Sequence, residues 1–241
     1  MAVAIVHHLA RQGTYKNNEI AVLTPYLGQL YILQDRLRDS FAITLGEKDE
    51  EDLDKAGLNE TAKKKQQKSK PKLLETLRVA TIDNFQGEEA KVVVISLVRS
   101  NDQNQCGFLR TSNRINVLLS RAKHGMYIIG NSKTSIHVPM WEQVIEILQL
   151  NGNFGTSLEL QCPRHPGDHI SVSEADDFVQ YSPEGGCNER CVKWLKCGHS
   201  CSAVTRVRSN ARSLSTKLVE SYIAAMLRRI FPAGNRKTYL L

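Results

Sequence analysis

The chain has 241 residues, of which 41% are hydrophobic, so it can bury the core of one large domain or of one domain with appendages. Its formal net charge of +7 and its pI near 9.1 suit a polyanionic partner. No run of about 18 apolar residues occurs, which argues against a membrane span. The first residues carry histidines and an arginine but no basic leader, so we expect an intracellular protein of the cytoplasm or nucleus.

The first elements are predicted from apolar spacing. Ala2 to Arg11 has the pattern of a short amphipathic helix that ends near Gly13, with His7 and His8 on its surface. Ile20 to Leu23 predicts a buried strand, and Pro25 suits the opening turn of a helix that follows it.

The composition changes abruptly from Gly46 to about Leu74. An acidic block, which includes Asp49, is followed by a block of lysines. Such a segment has little apolar surface to bury, so we expect a flexible insertion at 46–74. A solvated loop and a contact between its lysines and nucleic-acid phosphates are both open interpretations.

The centre of the chain predicts a parallel sheet. Val79 to Ile82 and Val92 to Val98 are short, rich in β-branched residues and not alternating, as in strands buried on both faces. Gly87, in the polar turn between them, can take a backbone conformation closed to other residues. Loops at the carboxyl ends of parallel strands are where α/β proteins bind ligands.

A basic helix and a third strand follow. Ser112 to Lys123 has apolar residues at helical spacing, and its arginines and lysine favour an anionic ligand near the sheet edge. Gly125 is predicted to cap this helix, and Met126 to Ile129 to form the next strand. A last amphipathic helix covers Val138 to Leu150, with Trp141 interpreted as a core residue.

Five of the six cysteines lie beyond residue 160, and their spacing indicates zinc chemistry rather than disulfides. Two ligand groups are predicted. The first is Cys162, His165, Cys187 and Cys191, and the second, incomplete, is Cys197, His199 and Cys201. His169 is a reserve ligand, and Cys106 is interpreted as an ordinary thiol.

Three ordered motifs resemble those of superfamily 1 helicases. They are IAVLTPYLGQL from Ile20, TIDNFQGEE from Thr81 and NRINVLLSRAKHGMYIIGN from Asn113, which are similar to motifs IV, V and VI. The subgroup resembled is the RNA helicases related to the nonsense-mediated decay helicase. The Cys-Gly-His-x-Cys string at Cys197 narrows the resemblance to the NFX-type zinc-finger helicases.

The resemblance implies an α/β fold, the RecA-like P-loop NTPase fold of the second helicase domain, and it implies roles for individual residues. Arg121 would be the arginine finger that reaches the γ-phosphate of ATP. The nucleotide would also be bound by five further residues. Tyr26 would lie on adenine, Gln29 matches the family glutamine, Gln86 and Gly87 would shape the loop beneath the phosphates, and Glu89 would bond the ribose, with Glu88 as the alternative. The nucleic-acid backbone would be contacted by Thr81, Ser96 and Arg99.

The predicted domains are a helicase domain at 1–155, a partial NFX-type zinc-finger region at 156–201, and a divergent basic tail with an amphipathic helix at 202–241. The sequence has no Gly-x-x-x-x-Gly-Lys-Ser/Thr loop. We therefore expect half of a motor, inactive on ATP with magnesium unless a first RecA-like domain is supplied. RNA is the implied partner, in RNA surveillance or gene silencing. The alternative is a non-enzymatic zinc-bearing module that binds RNA or protein.

Overall fold

A computed structural model describes residues 1–58, 76–162 and 165–189. Several predictions lie outside these residues. They are the lysine block of the insertion, the zinc ligands Cys191, Cys197, His199 and Cys201, and the amphipathic tail helix.

The described residues form seven α-helices and seven β-strands. The helices are α1 (Ala2–Gln12), α2 (Leu27–Leu37), α3 (Glu47–Lys55), α4 (Ser112–Leu119), α5 (Ser132–Ser135), α6 (Pro139–Leu150) and α7 (Ala175–Tyr181). The strands are β1 (Ile20–Thr24), β2 (Ala42–Thr44), β3 (Thr76–Thr81), β4 (Ala90–Ser96), β5 (Ala122–Ile129), β6 (Leu158–Cys162) and β7 (His165–Val172). A 3-10 turn covers Gly107–Arg110.

Five strands form one parallel sheet in the order β2-β3-β1-β4-β5. The central strand β1 is buried along its whole length, as its uninterrupted apolar run predicts. Successive side chains alternate between two cores. Ala21 and Leu23 pack with α4 and α6, whereas Ile20 and Val22 pack with α1, α2 and α3. Helices therefore cover both faces, which confirms the predicted α/β class.

Two local predictions are wrong around α4. The helix ends at Leu119, and Gly125 does not cap it but lies inside β5, paired with Val92 of β4. The chain leaves the helix early because Ala122 already pairs with Ala90 at the start of the sheet. As a result Arg121 lies at the junction between helix and strand rather than on the helix.

The first part of the predicted flexible insertion is ordered. Residues Glu47–Lys55 form α3, whose Leu53 and Asp49 are both 0% exposed. Leu53 joins the core beneath α1 and α2. One apolar side chain and one hydrogen-bonded carboxylate are enough to fix this acidic helix to the sheet, which composition alone does not reveal.

The β6–β7 hairpin and α7 pack onto the helices that cover the parallel sheet. Val172 and Phe178 belong to the same core cluster as α1. His8, predicted on the helix surface, is instead only 4% exposed, with its ring 4.9 Å from the Phe178 ring. Its Nε2 lies 3.0 Å from the Gln12 amide nitrogen, and its Nδ1 lies 3.4 Å from the Ser182 hydroxyl.

No helix in the described part of the chain is both long and apolar enough to cross a bilayer.

Burial of His8 predicts a pH-dependent stability. Desolvation, with a smaller contribution from Arg11, lowers the pKa of His8 from 6.5 to about 4. As the pH falls, the unfolded chain therefore takes up the proton first. The contribution of neutral His8 to the free energy of unfolding is complete above pH 6.5 and is lost progressively towards pH 4. We expect the free energy of urea unfolding to fall by about 2 kcal/mol between pH 7.5 and 5 because of this residue.

The His8→Gln variant should lose that part of the pH dependence. His137→Gln, at an exposed histidine, is the matched control and should keep it. Equal pH dependence of the two variants would contradict the buried, neutral state of His8.

Candidate functional site

The candidate functional residues lie at the two opposite ends of the parallel strands. We call the side of the sheet where the strands end the carboxyl edge, and the side where they begin the amino edge. Leu23 pairs with Ile95, so the end of β1 lies level with the end of β4. Ala90 pairs with Ala122 at the opposite edge, where β4 and β5 begin. At about 3.3 Å per strand residue, the six steps from Ala90 to the end of β4 separate the two edges by roughly 20 Å.

Tyr26 lies at the carboxyl edge, directly after β1. Its hydroxyl donates to the Cys106 carbonyl at 3.3 Å and accepts from the Arg99 Nε at 3.1 Å. The Arg99 guanidinium carbon is 5.0 Å from the centroid of the tyrosine ring. These contacts hold an aromatic ring and a cation together where β1 and β4 end.

Phe108 extends this group. Its ring is 51% exposed and meets the Tyr26 ring edge-on at 5.5 Å. The Arg114 guanidinium carbon lies 4.9 Å from the Phe108 centroid, while Arg114 donates two hydrogen bonds, of 3.1 and 3.3 Å, to the Asp83 carboxylate. We call Tyr26, Arg99, Phe108 and Arg114 the carboxyl-edge surface.

Unusual backbone conformations shape this surface. Gly107 has φ +60°, and a Cβ there would collide with the Tyr26 hydroxyl. Val98 has φ 68°, rare for a β-branched residue, and the Arg99 N–H donates to the Leu97 carbonyl at 2.8 Å across a γ-turn. Such strain costs on the order of 1–3 kcal/mol and here directs Arg99 towards the tyrosine.

The sequence motifs did not predict Phe108 as a site residue. A Gly-Phe pair in the loop that follows a central strand is the available signal, because such loops lie at the ligand-binding edge of a parallel sheet.

Three other predicted residues are not on the carboxyl-edge surface. Ser96 is only 8% exposed, and with Gln29 it lines a groove of about 490 Å³ between α1, α2 and α7. The half-buried Thr81 ends β3 at the carboxyl edge, but its N–H and hydroxyl both donate to the Asp49 carboxylate, at 3.2 and 2.7 Å.

Arg121 lies at the amino edge and is half-buried. Its Nε donates to the Val117 carbonyl at 2.7 Å, one terminal nitrogen donates to the Ser120 hydroxyl at 2.7 Å, and the other donates to the Glu88 carbonyl at 3.1 Å. A guanidinium has five N–H donors, so each terminal nitrogen keeps one without a partner among the described residues. Burial lowers the pKa of Arg121, an effect that the nearby Glu89 carboxylate opposes.

The two candidate ribose contacts differ in their surroundings. Glu88 is bound by Arg78, whose Nε and terminal nitrogen donate to its two oxygens at 3.0 and 2.7 Å. Glu89 is half-exposed and pairs with the exposed Lys123 at 2.9 Å. Both Glu88 oxygens accept from Arg78, whereas Glu89 uses one oxygen for Lys123 and lies near Arg121. Gln86 and Gly87 are exposed in the same loop, and Gly87 has the expected positive φ of 87°.

The predicted nucleotide site is therefore divided between the two edges. Tyr26 follows the carboxyl end of β1, whereas Glu89 and Arg121 precede the amino ends of β4 and β5. Adenine and ribose are joined by one covalent bond, so contacts roughly 20 Å apart cannot serve one nucleotide. The prediction that Tyr26 and Glu89 hold the same nucleotide is wrong for this reason.

Three predicted zinc ligands come together. Pairing of Cys162 with His165 at the closed end of the β6–β7 hairpin brings their side chains to 3.9 Å, and Cys187 Sγ lies 3.1 Å from the His165 Nδ1. All three ligand atoms lie within 4.8 Å of one another. Tetrahedral zinc with typical bond lengths requires sulfur–nitrogen distances of about 3.5 Å, so this cluster has a metal-compatible geometry.

The elements around the cluster hold it in place. Gly185, with φ +81°, packs so closely on α1 that a Cβ would lie 2.5 Å from the Gln12 nitrogen, and this contact places Cys187. The reserve ligand His169 is exposed on β7, paired with Gln161, and does not join the cluster. Cys106 is buried away from it and its thiol donates to the Thr134 carbonyl at 3.0 Å.

Comparison with known proteins identifies the family. The model of a family described as "AAA domain" matches residues 1–133. The chain is 38% identical over 188 residues to human "NFX1-type zinc finger-containing protein 1", which covers 78% of this chain and 8% of that protein. It is 36% identical over 154 residues to the Saccharomyces cerevisiae "Putative ATP-dependent RNA helicase ECM32", which covers 61% of this chain and 14% of that protein.

A third similarity is to "Regulator of nonsense transcripts 1" of Dictyostelium discoideum, 31% identical over 127 residues, which covers 53% of this chain and 8% of that protein. The chain thus spans less than a sixth of each of these relatives. With the parallel sheet and the three motifs, the matches lead to one conclusion. The chain belongs to the superfamily 1 helicases with an AAA domain, in the group related to the nonsense-mediated decay helicase and the NFX1-type zinc-finger proteins.

Proposed function

We propose that this chain is the second motor domain of an ATP-dependent RNA helicase, with RNA bound at the carboxyl edge and the nucleotide phosphates at the amino edge. The observation that carries the proposal is the division of the site residues. Stacking groups lie at one edge, and a guanidinium with two N–H groups that have no partner in the described part of the chain lies at the other. Such an RNA-directed role suits the cytoplasm or nucleus.

The carboxyl-edge surface has the chemistry of a single-stranded nucleic-acid site. Exposed aromatic rings stack on bases of any sequence, and arginines beside them add cation–π contacts and phosphate attraction. Phe108 is the most exposed ring of the surface, and Arg99 lies over Tyr26 beside it. Tyr26 is accordingly proposed as an RNA-facing residue in place of its expected role on adenine.

Arg121 is proposed as the arginine finger. A planar, permanently charged donor suits the charge that develops on a transferring phosphoryl group, and within the described residues each terminal nitrogen of Arg121 makes only one hydrogen bond. Its bonds to Val117 and Ser120 hold the side chain in position without a ligand. ATP with magnesium, bound by a companion domain, would supply the phosphoryl group, and Glu89 would accept from its ribose hydroxyls.

Zinc is proposed for the cluster of Cys162, His165 and Cys187. Two thiolates and an imidazole are ligands that zinc prefers, and the measured separations fit a tetrahedron with one further ligand. Cys191 is the proposed fourth ligand. The metal would join the hairpin to the segment after α7, and so stabilise their packing on α1.

RNA binding tests the carboxyl edge. Phe108→Ala should weaken binding of a fluorescent single-stranded uridine oligomer by about fivefold or more, because stacking on an aromatic ring contributes about 1–3 kcal/mol per base. Phe154→Ala removes another exposed phenylalanine, 41% exposed beyond α6, and should leave the affinity unchanged. Equal affinities of both variants and the unsubstituted chain, measured by anisotropy, would refute the RNA surface.

ATP hydrolysis tests the amino edge. The chain is joined to a domain that carries the phosphate-binding loop, and turnover is measured with RNA present. Arg121→Lys should reduce kcat on the order of a thousandfold, because a lysine cannot replace the planar donor. Arg36→Lys makes the same chemical change on α2 and should have little effect. Normal turnover by Arg121→Lys would remove the finger and leave a non-enzymatic module as the better description.

Metal content tests the cluster. Cys187→Ser should lower the zinc content of the purified chain by one ion per chain and reduce its thermal stability. Cys106→Ser changes a cysteine outside the cluster and should keep the full zinc content. Unchanged zinc content in Cys187→Ser, measured by elemental mass spectrometry, would exclude this site.

A further inference from the structure

Asp49 is a buried carboxylate that accepts hydrogen bonds from three donors. Its two carboxylate oxygens accept from the Thr81 N–H at 3.2 Å, from the Thr81 hydroxyl at 2.7 Å and from the Asn84 side-chain amide at 2.6 Å. The Asp49 side chain is 0% exposed. Three donors from the end of β3 and the loop after it thus converge on one anion.

These donors lie close to the carboxyl-edge surface, where RNA is proposed to bind. Thr81 and Asn84 flank Asp83, which pairs with Arg114 of the carboxyl-edge surface at 3.1 Å. A nucleic-acid strand stacked on Phe108 and Arg114 would therefore have its backbone close to the donors that Asp49 occupies.

The occupying anion comes from α3, a helix attached by few contacts. Among its described residues only Asp49 and Leu53 are buried, and its outer face carries exposed acidic residues. A helix fixed by one apolar side chain and one carboxylate can leave the sheet locally at low cost.

We propose that the Asp49 carboxylate occupies a binding site for a backbone phosphate of RNA. The carboxylate on α3 must therefore leave this site before RNA binds the end of β3. Thr81 and Asn84 then form a phosphate site that α3 closes in the absence of RNA. This inference rests on the proposed RNA-binding function and adds an internal competitor to it.

Affinity measurements test the competition. Asp49→Asn removes the charge and replaces one of the two acceptor oxygens with a donor, which should weaken its hold on Thr81 and Asn84. We expect this variant to bind the uridine oligomer at least about threefold more tightly. The plot of log affinity against log salt should steepen by about 0.7, the value for one added phosphate contact on a single strand.

Asp52→Asn is the matched control, since it removes one charge from the exposed side of the same helix. It should change the affinity much less than Asp49→Asn. Equal or weaker binding by Asp49→Asn than by Asp52→Asn, with both chains folded by urea denaturation, would overturn the proposal.

Hydrogen exchange of the unsubstituted chain gives a readout that needs no variant. Binding of the oligomer should speed amide exchange in peptides that cover α3, because its anchoring carboxylate is displaced. Tight RNA binding with unchanged protection of α3 would refute the competitor and leave the RNA surface intact. Absence of RNA binding by the chain and by both variants would instead refute the proposed function and the competitor together.

Discussion

The short connection from β3 to β4 is the constraint on which the two edges depend. Residues 82–89 must travel from the carboxyl end of one parallel strand to the amino end of another, past β1. Phe85, 1% exposed, fixes the middle of this crossing in the core beneath α4 and α6. Its first residues therefore lie at the proposed RNA surface, and its last residues lie beside Arg121.

Ion pairs and hydrogen bonds hold both ends of the crossing. At the carboxyl edge Asp83 pairs with Arg114, and Asn84 donates to Asp49. At the amino edge Arg78 holds the Glu88 carboxylate, and the Glu88 carbonyl accepts from Arg121. Like α4, this connection has contacts at both edges, so it offers a physical route between the proposed RNA contact and the proposed nucleotide contact.

The sequence was sufficient to predict most of the sheet and less of the site. The buried strands β1, β3 and β4 have uninterrupted β-branched runs, which is a strong local signal. The three-residue strand β2 is half-buried at the sheet edge and has no such signal. The acidic composition of α3 predicted disorder, because the hydrogen bonds that fix Asp49 come from residues more than thirty positions away.

The order of the motifs along the chain also gives no information on the distances between their residues in the fold. Tyr26, Glu89 and Arg121 were combined because the resemblance assigns them to one ligand, whereas the parallel register separates Tyr26 from the other two. Three of the predicted metal ligands, Cys162, His165 and Cys187, come together in the structure, and the other four lie outside the described residues. The contacts of the β6–β7 hairpin and α7 with α1 depend on tertiary packing. No pattern in the sequence predicts that His8 is buried.

The central claim is that RNA and nucleotide phosphates use opposite edges of one sheet. Photo-crosslinking of a 4-thiouridine oligomer to the chain, with the labelled peptides identified by mass spectrometry, tests it most directly. The account predicts labelling at the carboxyl edge, at Tyr26 and Phe108. Labelling confined to the amino edge, at the peptides that carry Glu89 and Arg121, would contradict it.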